Sequence, residues 1–350
     1  MSPDRALAVG AFFLYGSWVK PKIIVIVGPT ASGKSAYAVK LATKLGGEVI
    51  SADSRQVYKG LNIGTGKITK KEMKGVPHHL LDVADPKKVF TAHDYVEKAR
   101  PILEKILAEG KTPIICGGTG FYIDALLGRI VLPDVPANRE LRERLKGKSA
   151  SQLFAMLQKL DPRRAKEIDR HNPVRLIRAI EIAKALGKVP KMKKNSRHTY
   201  SPVGELRDPA SLAYAQSGLA PLPYSRGSPH KIQWIGMKIA EIPLREKIHA
   251  RLLARMKYGM VTEAMRLHNP PTSGGLSYKR MSELGLEYRY LALLLQKKIT
   301  KKEMLEKLEI DIRKYAKRQM TYWKRNTDII WFPISDLPAL ERHVRKVLHT

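Results

Sequence analysis

Six short apolar runs, rich in β-branched residues, punctuate the chain: Ile23 to Val27, Glu48 to Ser51, His79 to Val83, Pro113 to Cys116, Trp234 to Ile239 and Ile329 to Phe332. Between them the apolar positions recur at helical spacing, as in Ala36 to Leu45. Strands alternating with helices predict an α/β fold built on a parallel, doubly wound sheet. From about residue 133 to 194 the strand signal stops and charged amphipathic segments replace it, among them Arg139 to Leu145, Ser151 to Leu160 and Arg175 to Leu186. This stretch reads as an all-helical insertion. Residues 195–230 carry five prolines with many serines and glycines and no stable period, the composition of a linker or long loop. From Pro243 onward the spacing is helical again. The expected division is therefore an extension over 1–20, a first core segment over 21–132, the insertion over 133–194, the linker over 195–230, and a second core segment over 231–350 ending in basic helices.

The run Ile23 to Val27 leads directly into Gly28-Pro29-Thr30-Ala31-Ser32-Gly33-Lys34-Ser35, which satisfies G-x-x-x-x-G-K-[ST] in full. A strand before this pattern and a helix after it form the context in which loop amides turn inward on a phosphate. Lys34 adds a cation, and the Ser35 hydroxyl is a hard oxygen suited to magnesium. The motif predicts a bound di- or triphosphate, and by pattern alone an ATP site. Whether the phosphate is cut, transferred or expelled is left open by the loop itself.

Charge adds a second partner. The chain has 64 Lys plus Arg against 32 Asp plus Glu, a formal net charge of +32. A surface so basic attracts polyanions, and nucleic acid is the leading class. Cys116 is the single cysteine, which excludes an intrachain disulfide and suits a cytoplasmic protein with a small buried thiol. The uncharged stretch Ala6 to Val19 is read as an extension rather than a secretory signal, and no apolar run reaches the length of a membrane-spanning helix.

Two further blocks carry chemistry. Asp53, in Ser51-Ala52-Asp53-Ser54-Arg55-Gln56-Val57-Tyr58, follows a predicted strand at the edge where open α/β sheets build their sites. Its carboxylate could accept a proton or cap a turn. Gln56 offers a donor and an acceptor on one amide, as reading an adenine edge requires. In Cys116-Gly117-Gly118-Thr119-Gly120-Phe121-Tyr122, the glycines fit either close approach to a ligand or a tight strand-to-helix turn. No strand here ends in the aspartate that an ordinary ATPase uses to hold its magnesium.

Taken in order, these blocks resemble the tRNA dimethylallyltransferases, the isopentenyl-tRNA transferases of bacteria. The resemblance rests on Gly28 to Ser35, Asp53 to Gly60 with Ile63 to Lys67, Pro77 to Asp82, Gly117 to Tyr122, Asn172 to Ala179, Arg251, and Tyr315 to Trp323, and it spans roughly residues 22 to 333. It implies transfer of a dimethylallyl group from its diphosphate to the exocyclic amine of the adenosine 3′-adjacent to the anticodon. By position it implies that Gly28, Thr30, Ala31, Ser32, Gly33, Lys34 and Ser35 hold the diphosphate with Mg2+ on Ser35. Arg251 would clamp it, Asp53 would take the amine proton, and Thr119 would bond near the reacting centre. Asp53, Ser54, Arg55, Gln56 and Thr119 would read the adenosine. Arg142, Val174, Arg175, Leu176, Ile177 and Arg178 would grip the anticodon stem-loop, and Lys317 and Arg318 would meet phosphates. The working unit is expected to be a monomer without a membrane partner. Gly66 stands where the family has Ala or Asp more often, a harmless change if that residue only turns the backbone.

Three other readings share parts of the pattern: prenyl transfer to free AMP or ADP, a phosphate-loop small-molecule kinase, and a non-catalytic RNA-binding module. The helical insertion and the +32 charge disfavour a mononucleotide acceptor. RNA affinity is expected to fall steeply as salt rises, because each phosphate contact takes up counterions again. Filter binding across a salt series measures this, and a flat response would remove the basic surface from RNA capture.

Overall fold

Residues 23–130, 132–190, 232–269 and 274–348 are described by the computed structural model. The expected extension over 1–20 and linker over 195–230 lie outside the described residues. The chain divides into two compact units, one of residues 1–127 with 228–350 and one of residues 128–227.

The first unit is built on a parallel sheet. Its strands are β1 (Ile23–Val27), β2 (Glu48–Ser51), β3 (His78–His79), β4 (Pro113–Cys116), β5 (Ile232–Lys238) and β6 (Ile330–Pro333). They lie in the order β3-β2-β4-β1-β5-β6 with every pairing parallel. All five residues of β1 are buried, as a central strand covered on both faces requires. Ile24 and Ile26 point to the face covered by Tyr37, Ala38 and Leu41 of α1 (Lys34–Leu45) and by Leu340 and Val344 of α14 (Leu337–Leu348). Of the expected strand His79 to Val83 only His79 belongs to β3, because Leu80 and Asp82 take left-handed backbone conformations with φ of 64° and 56°.

Register sets the height of the site. Ile26 pairs with Cys116, and Cys116 pairs with Ser51, so the loops after β1, β4 and β2 leave the sheet at one level. The chain runs from β1 toward β2 and from β4 toward β5, in opposite directions across the sheet. The crevice between the ends of β1 and β4 is therefore the switch point where α/β sheets place ligands. The remaining helices of this unit are α2 (Lys70–Met73), α3 (Ala92–Ala108), α4 (Gly120–Leu126), α9 (Glu241–Lys257), α10 (Met260–His268), α11 (Tyr278–Glu283), α12 (Leu286–Leu295) and α13 (Lys301–Trp323). Trp323 is fully buried at the end of α13, tilted against Trp234 of β5 at 6.0 Å. This contact ties the long basic helix to the sheet.

Among the described residues of the second unit every element is helical: α5 (Arg139–Leu145), α6 (Ala150–Leu160), α7 (Pro162–Glu167) and α8 (Pro173–Leu186). Leu141, Leu153, Leu157, Leu176 and Ile180 form its core. The short α7 is absent from the hydrophobic pattern; Asp161 starts it by accepting from the Arg164 amide at 2.9 Å, and Pro162 occupies its first position. At the centre of the polar structure lies Glu181, whose side chain is fully buried. It accepts from Arg142 Nε at 2.6 Å and Nη2 at 2.7 Å, from Arg178 Nη1 at 3.2 Å and from the Asn138 amide at 3.0 Å.

Burial by itself would raise the Glu181 pKa, but the hydrogen bonds from Arg142, Arg178 and Asn138 outweigh it and hold the carboxyl below the ordinary glutamate value. A depressed folded pKa stabilises the folded unit above the unfolded value and withdraws that support as pH falls through the folded one. Glu181→Gln is expected to cost this unit about 1–3 kcal/mol at neutral pH, since both arginines are part-exposed and rehydrate. Amide hydrogen exchange over α5 to α8 should show the loss, with the difference from wild type shrinking below the ordinary glutamate range.

Candidate functional site

The loop after β1 has the backbone that its glycines predict. Gly28 has φ of 146°, and a Cβ there would meet the Met237 carbonyl oxygen of β5 at 2.3 Å, so no other residue fits. Gly33 takes a left-handed conformation as the residue before α1. Ala31 also has a positive φ of 63°, a strained value that marks the bend of the loop. Ser32 is buried at 1% exposure, and its hydroxyl has no hydrogen-bond partner among the described residues. A buried hydroxyl facing no acceptor in a loop of this kind fits an anionic ligand. Lys34 donates to the Pro29 carbonyl at 2.7 Å. Burial lowers its pKa to about 8, opposed by the charges of Cys116 and Asp53 and assisted by Arg251. Lysine, carboxylate and arginine therefore share one electrostatic neighbourhood. The Cys116 thiol beneath them is buried and pushed up to about 11, so it stays protonated and inert as a nucleophile.

Asp53 both caps and presents. Its Oδ1 accepts from the Arg55 amide at 2.8 Å and the Gln56 amide at 3.4 Å. Oδ2 carries no hydrogen bond among the described residues. Thr119, in the loop after β4, accepts from the Ser54 amide at 2.9 Å through its hydroxyl oxygen and donates its own amide to Ala52 at 3.0 Å. The accepting role leaves the Thr119 hydroxyl proton for another partner. Gln56 spends one amide N–H on the Gly66 carbonyl at 3.3 Å. Arg55 reaches the Glu283 carbonyl at 3.2 Å.

Two of the glycines after β4, Gly118 in the loop and Gly120 at the start of α4, admit helix α13, while Gly117 lies against the Ala52 backbone. A Cβ on Gly118 would lie 2.1 Å from Gln319 Nε2, and one on Gly120 would lie 2.2 Å from the Tyr322 ring. Gln319 accepts from the Thr30 amide at 2.7 Å and donates to the Gly118 carbonyl at 3.1 Å. The Thr30 amide therefore faces the protein, which leaves its hydroxyl for the expected diphosphate contact. One turn earlier, Tyr315 is half-buried; desolvation and then the Asp53 charge raise the pKa of its phenol, partly opposed by a hydrogen bond with Gln319. Lys317 and Arg318 lie on the exposed side of α13, and Arg318 sits over the Tyr315 ring at 5.8 Å.

The second block is braced from a distance. Glu263 of α10 accepts from the amides of Asn62 at 3.0 Å, Ile63 at 2.8 Å and Gly64 at 2.9 Å, and from the Tyr288 hydroxyl at 2.6 Å. Gly64 is needed because a Cβ would approach the Tyr288 ring to 2.7 Å. Gly66 does more than turn the backbone: a Cβ would come within 2.2 Å of Arg255 Nη2 and 3.1 Å of Arg251 Nη2. Arg255 is held by the Gly64 carbonyl at 3.2 Å and by Glu287 at 3.1 Å. Arg251 is exposed, yet crowding by the protein and then the Arg255 charge keep its pKa below the ordinary value. Two neighbouring guanidiniums, of which Arg255 is bonded to Glu287, favour an added anion beside Arg251.

The insertion residues separate into two kinds. Val174 is 77% exposed and Arg175 is exposed at the start of α8, whereas Leu176 is fully buried in the helical core. Its side chain is therefore a packing residue, which corrects its expected contact with RNA. Ile177 is half-buried and packs against the same core. Arg142 and Arg178 are engaged by Glu181 rather than free. Glu263 and Gln319 leave no local signal in the sequence, because the loops they brace lie 199–201 and 201–289 positions away; Glu181 has Arg178 three residues before it, but its bidentate partner Arg142 lies 39 positions away.

No helix among the described residues is long and apolar enough to cross a membrane. Nor do these residues gather three or more His, Cys, Asp or Glu side chains into a metal cluster.

Comparison with known proteins gives one answer throughout. The IPP transferase family profile matches residues 56–326. A tRNA dimethylallyltransferase of Anoxybacillus flavithermus is 33% identical over 330 residues, covering 94% of this chain and 95% of its own length. The tRNA dimethylallyltransferase 2 of Treponema denticola is 39% identical over 307 residues, 87% of this chain and 92% of its own. The crystal structure of the full-length tRNA isopentenylpyrophosphate transferase of Bacillus halodurans matches with a TM-score of 0.62 at 30% identity, covering 94% of this chain and 97% of that one. With the family profile over residues 56–326 and relatives matched along nearly the whole length, the chain belongs to the IPP transferase family of tRNA dimethylallyltransferases.

Proposed function

We propose that the protein transfers a dimethylallyl group from dimethylallyl diphosphate to the exocyclic amine of the adenosine 3′-adjacent to the anticodon of tRNA, releasing diphosphate. The observation that carries this reading is the shared neighbourhood of Lys34, Asp53 and Arg251 at the sheet's switch point, beside Thr119. An anion-binding loop and a proton acceptor then face one crevice.

The amine nitrogen attacks the allylic carbon as the carbon–oxygen bond breaks, and the bonding pair leaves on the diphosphate. Positive charge from Lys34 and Arg251, with the amides around Gly28, Ala31 and Gly33, stabilises that charge most as it develops. The Ser32 hydroxyl supplies a further donor. A carboxylate is too weak a base to ionise a neutral aromatic amine, so Asp53 Oδ2 takes the proton as the nitrogen gains its bond to carbon. The Thr119 hydroxyl, whose oxygen is held by Ser54, donates beside it. Magnesium would be held here by the exposed Ser35 hydroxyl, an oxygen ligand of the kind this hard cation prefers. When bound it neutralises diphosphate charge.

The adenosine must leave its stack to reach this crevice, and Asp53, Ser54, Arg55 and Gln56 line the place where it would arrive. Val174, Arg175 and the outward N–H groups of Arg142 and Arg178, pre-set by Glu181, would grip the stem-loop, with Lys317, Arg318 and Arg325 meeting phosphates. We further propose a cytoplasmic setting and a monomeric working unit.

Labelled dimethylallyl diphosphate offered with unmodified tRNA, with AMP, or alone tests the reading: label should reach only the tRNA, and label on AMP, or none transferred, sinks it. Asp53→Asn keeps the Oδ1 acceptor for the Arg55 and Gln56 amides while removing the base, so turnover should drop at least about a hundredfold with tRNA affinity retained. Unchanged turnover would refute the assignment. Because Lys34 is a cation only below about 8, kcat/KM for the diphosphate donor should decline above that pH, and in Lys34→Arg the decline should move upward. An unmoved alkaline limb would take Lys34 out of donor binding.

A further inference from the structure

The Tyr315-to-Trp323 block is absorbed by the proposed function only through its exposed cations, Lys317 and Arg318. Its buried face is left unexplained. Gln319 is 6% exposed on a helix otherwise crowded with charge. Its amide group is used at both ends, accepting from Thr30 of the phosphate loop and donating to Gly118 of the loop that carries Thr119. These loops follow β1 and β4, the two strands that bound the switch-point crevice. Gly118 has no side chain where the Gln319 amide must lie, so the two positions are cut to fit each other.

From this geometry we infer that Gln319 is a positioning residue for the donor, a neutral clamp that fixes the phosphate loop against the Gly118-Thr119 loop and sets the spacing between leaving group and acceptor. The inference rests on the proposed prenyl transfer and deepens it. Only a primary amide meets the demand. A carboxylate accepts from Thr30 but repels the Gly118 carbonyl, and an aliphatic side chain leaves a buried N–H and a buried C=O unpaired. Because the clamp belongs to α13, whose other face carries Lys317 and Arg318, its loss should be felt by the donor and spare RNA capture.

The test compares Gln319→Ala, Gln319→Glu, Gly118→Ala and the Gln319→Ala/Gly118→Ala pair with wild type, reading KM for dimethylallyl diphosphate, kcat, and tRNA affinity by filter binding. Gln319→Ala should raise the donor KM about ten- to a hundredfold, since two buried hydrogen bonds are lost, with tRNA affinity unchanged. Gly118→Ala should do the same by displacing the amide, and the pair should be no worse than either alone. In Gln319→Glu the donor KM, taken as a ratio to wild type at each pH, should fall toward one as pH is lowered, because only the protonated acid can donate to Gly118 while accepting from Thr30. A space-filling role predicts a ratio independent of pH. That flat ratio, or additive effects in the pair, or a loss of tRNA affinity equal to the loss for the donor, overturns the inference. If Gln319→Ala fails to fold, the pH response of the near-isosteric Gln319→Glu decides alone. Wild type unable to label tRNA would instead remove the proposed function, so the two failures are distinct.

Discussion

Parallel pairing of β1 with β4, and of β4 with β2, is the constraint on which the site depends. The register brings Ile26, Cys116 and Ser51 to one level, so three loops with unrelated sequences begin side by side. Each loop then has backbone groups that the sheet cannot satisfy, since the ladder ends where the loops begin. The chain answers with side chains from its C-terminal helices. Gln319 takes the groups of the first and third loops, and Glu263 takes three consecutive amides in the block that follows the second.

The same arrangement explains why glycine is concentrated here. Gly28 is set by the Met237 carbonyl, Gly64 by the Tyr288 ring, Gly118 by the Gln319 amide and Gly120 by the Tyr322 ring. A glycine-rich edge is usually read as room for a ligand. In this protein much of that room is taken by helices that press on the loops, leaving the ligand the crevice between them. Shape and electrostatics then act together: loops held apart by packed side chains keep Lys34, Asp53 and Arg251 near one another at no reorganisation cost when substrate arrives.

Charge is organised differently in the helical unit. Glu181 gathers two arginines and a backbone amide at a buried point, so the guanidiniums are partly neutralised yet held in place. Groups fixed in this way lose little freedom on meeting phosphate. A surface lysine such as Lys317 has no such preparation.

The parallel α/β fold, the phosphate loop, the order of the blocks and the helical character of the insertion are all legible in the amino-acid order. They depend on local properties: β-branching, glycine spacing, amphipathic period and capping residues. The two-residue length of β3 and the presence of helix α7 are not legible there, the first because Leu80 and Asp82 bend left, the second because six residues carry too little period to register. Only in the folded chain does Leu176 face a core, the Thr30 amide turn to Gln319, Gly66 make way for two arginines, and Glu181 hold Arg142. Each of these is a contact between residues far apart in the chain or a choice of helix face at a domain core, and no local pattern encodes which distant partner will be there.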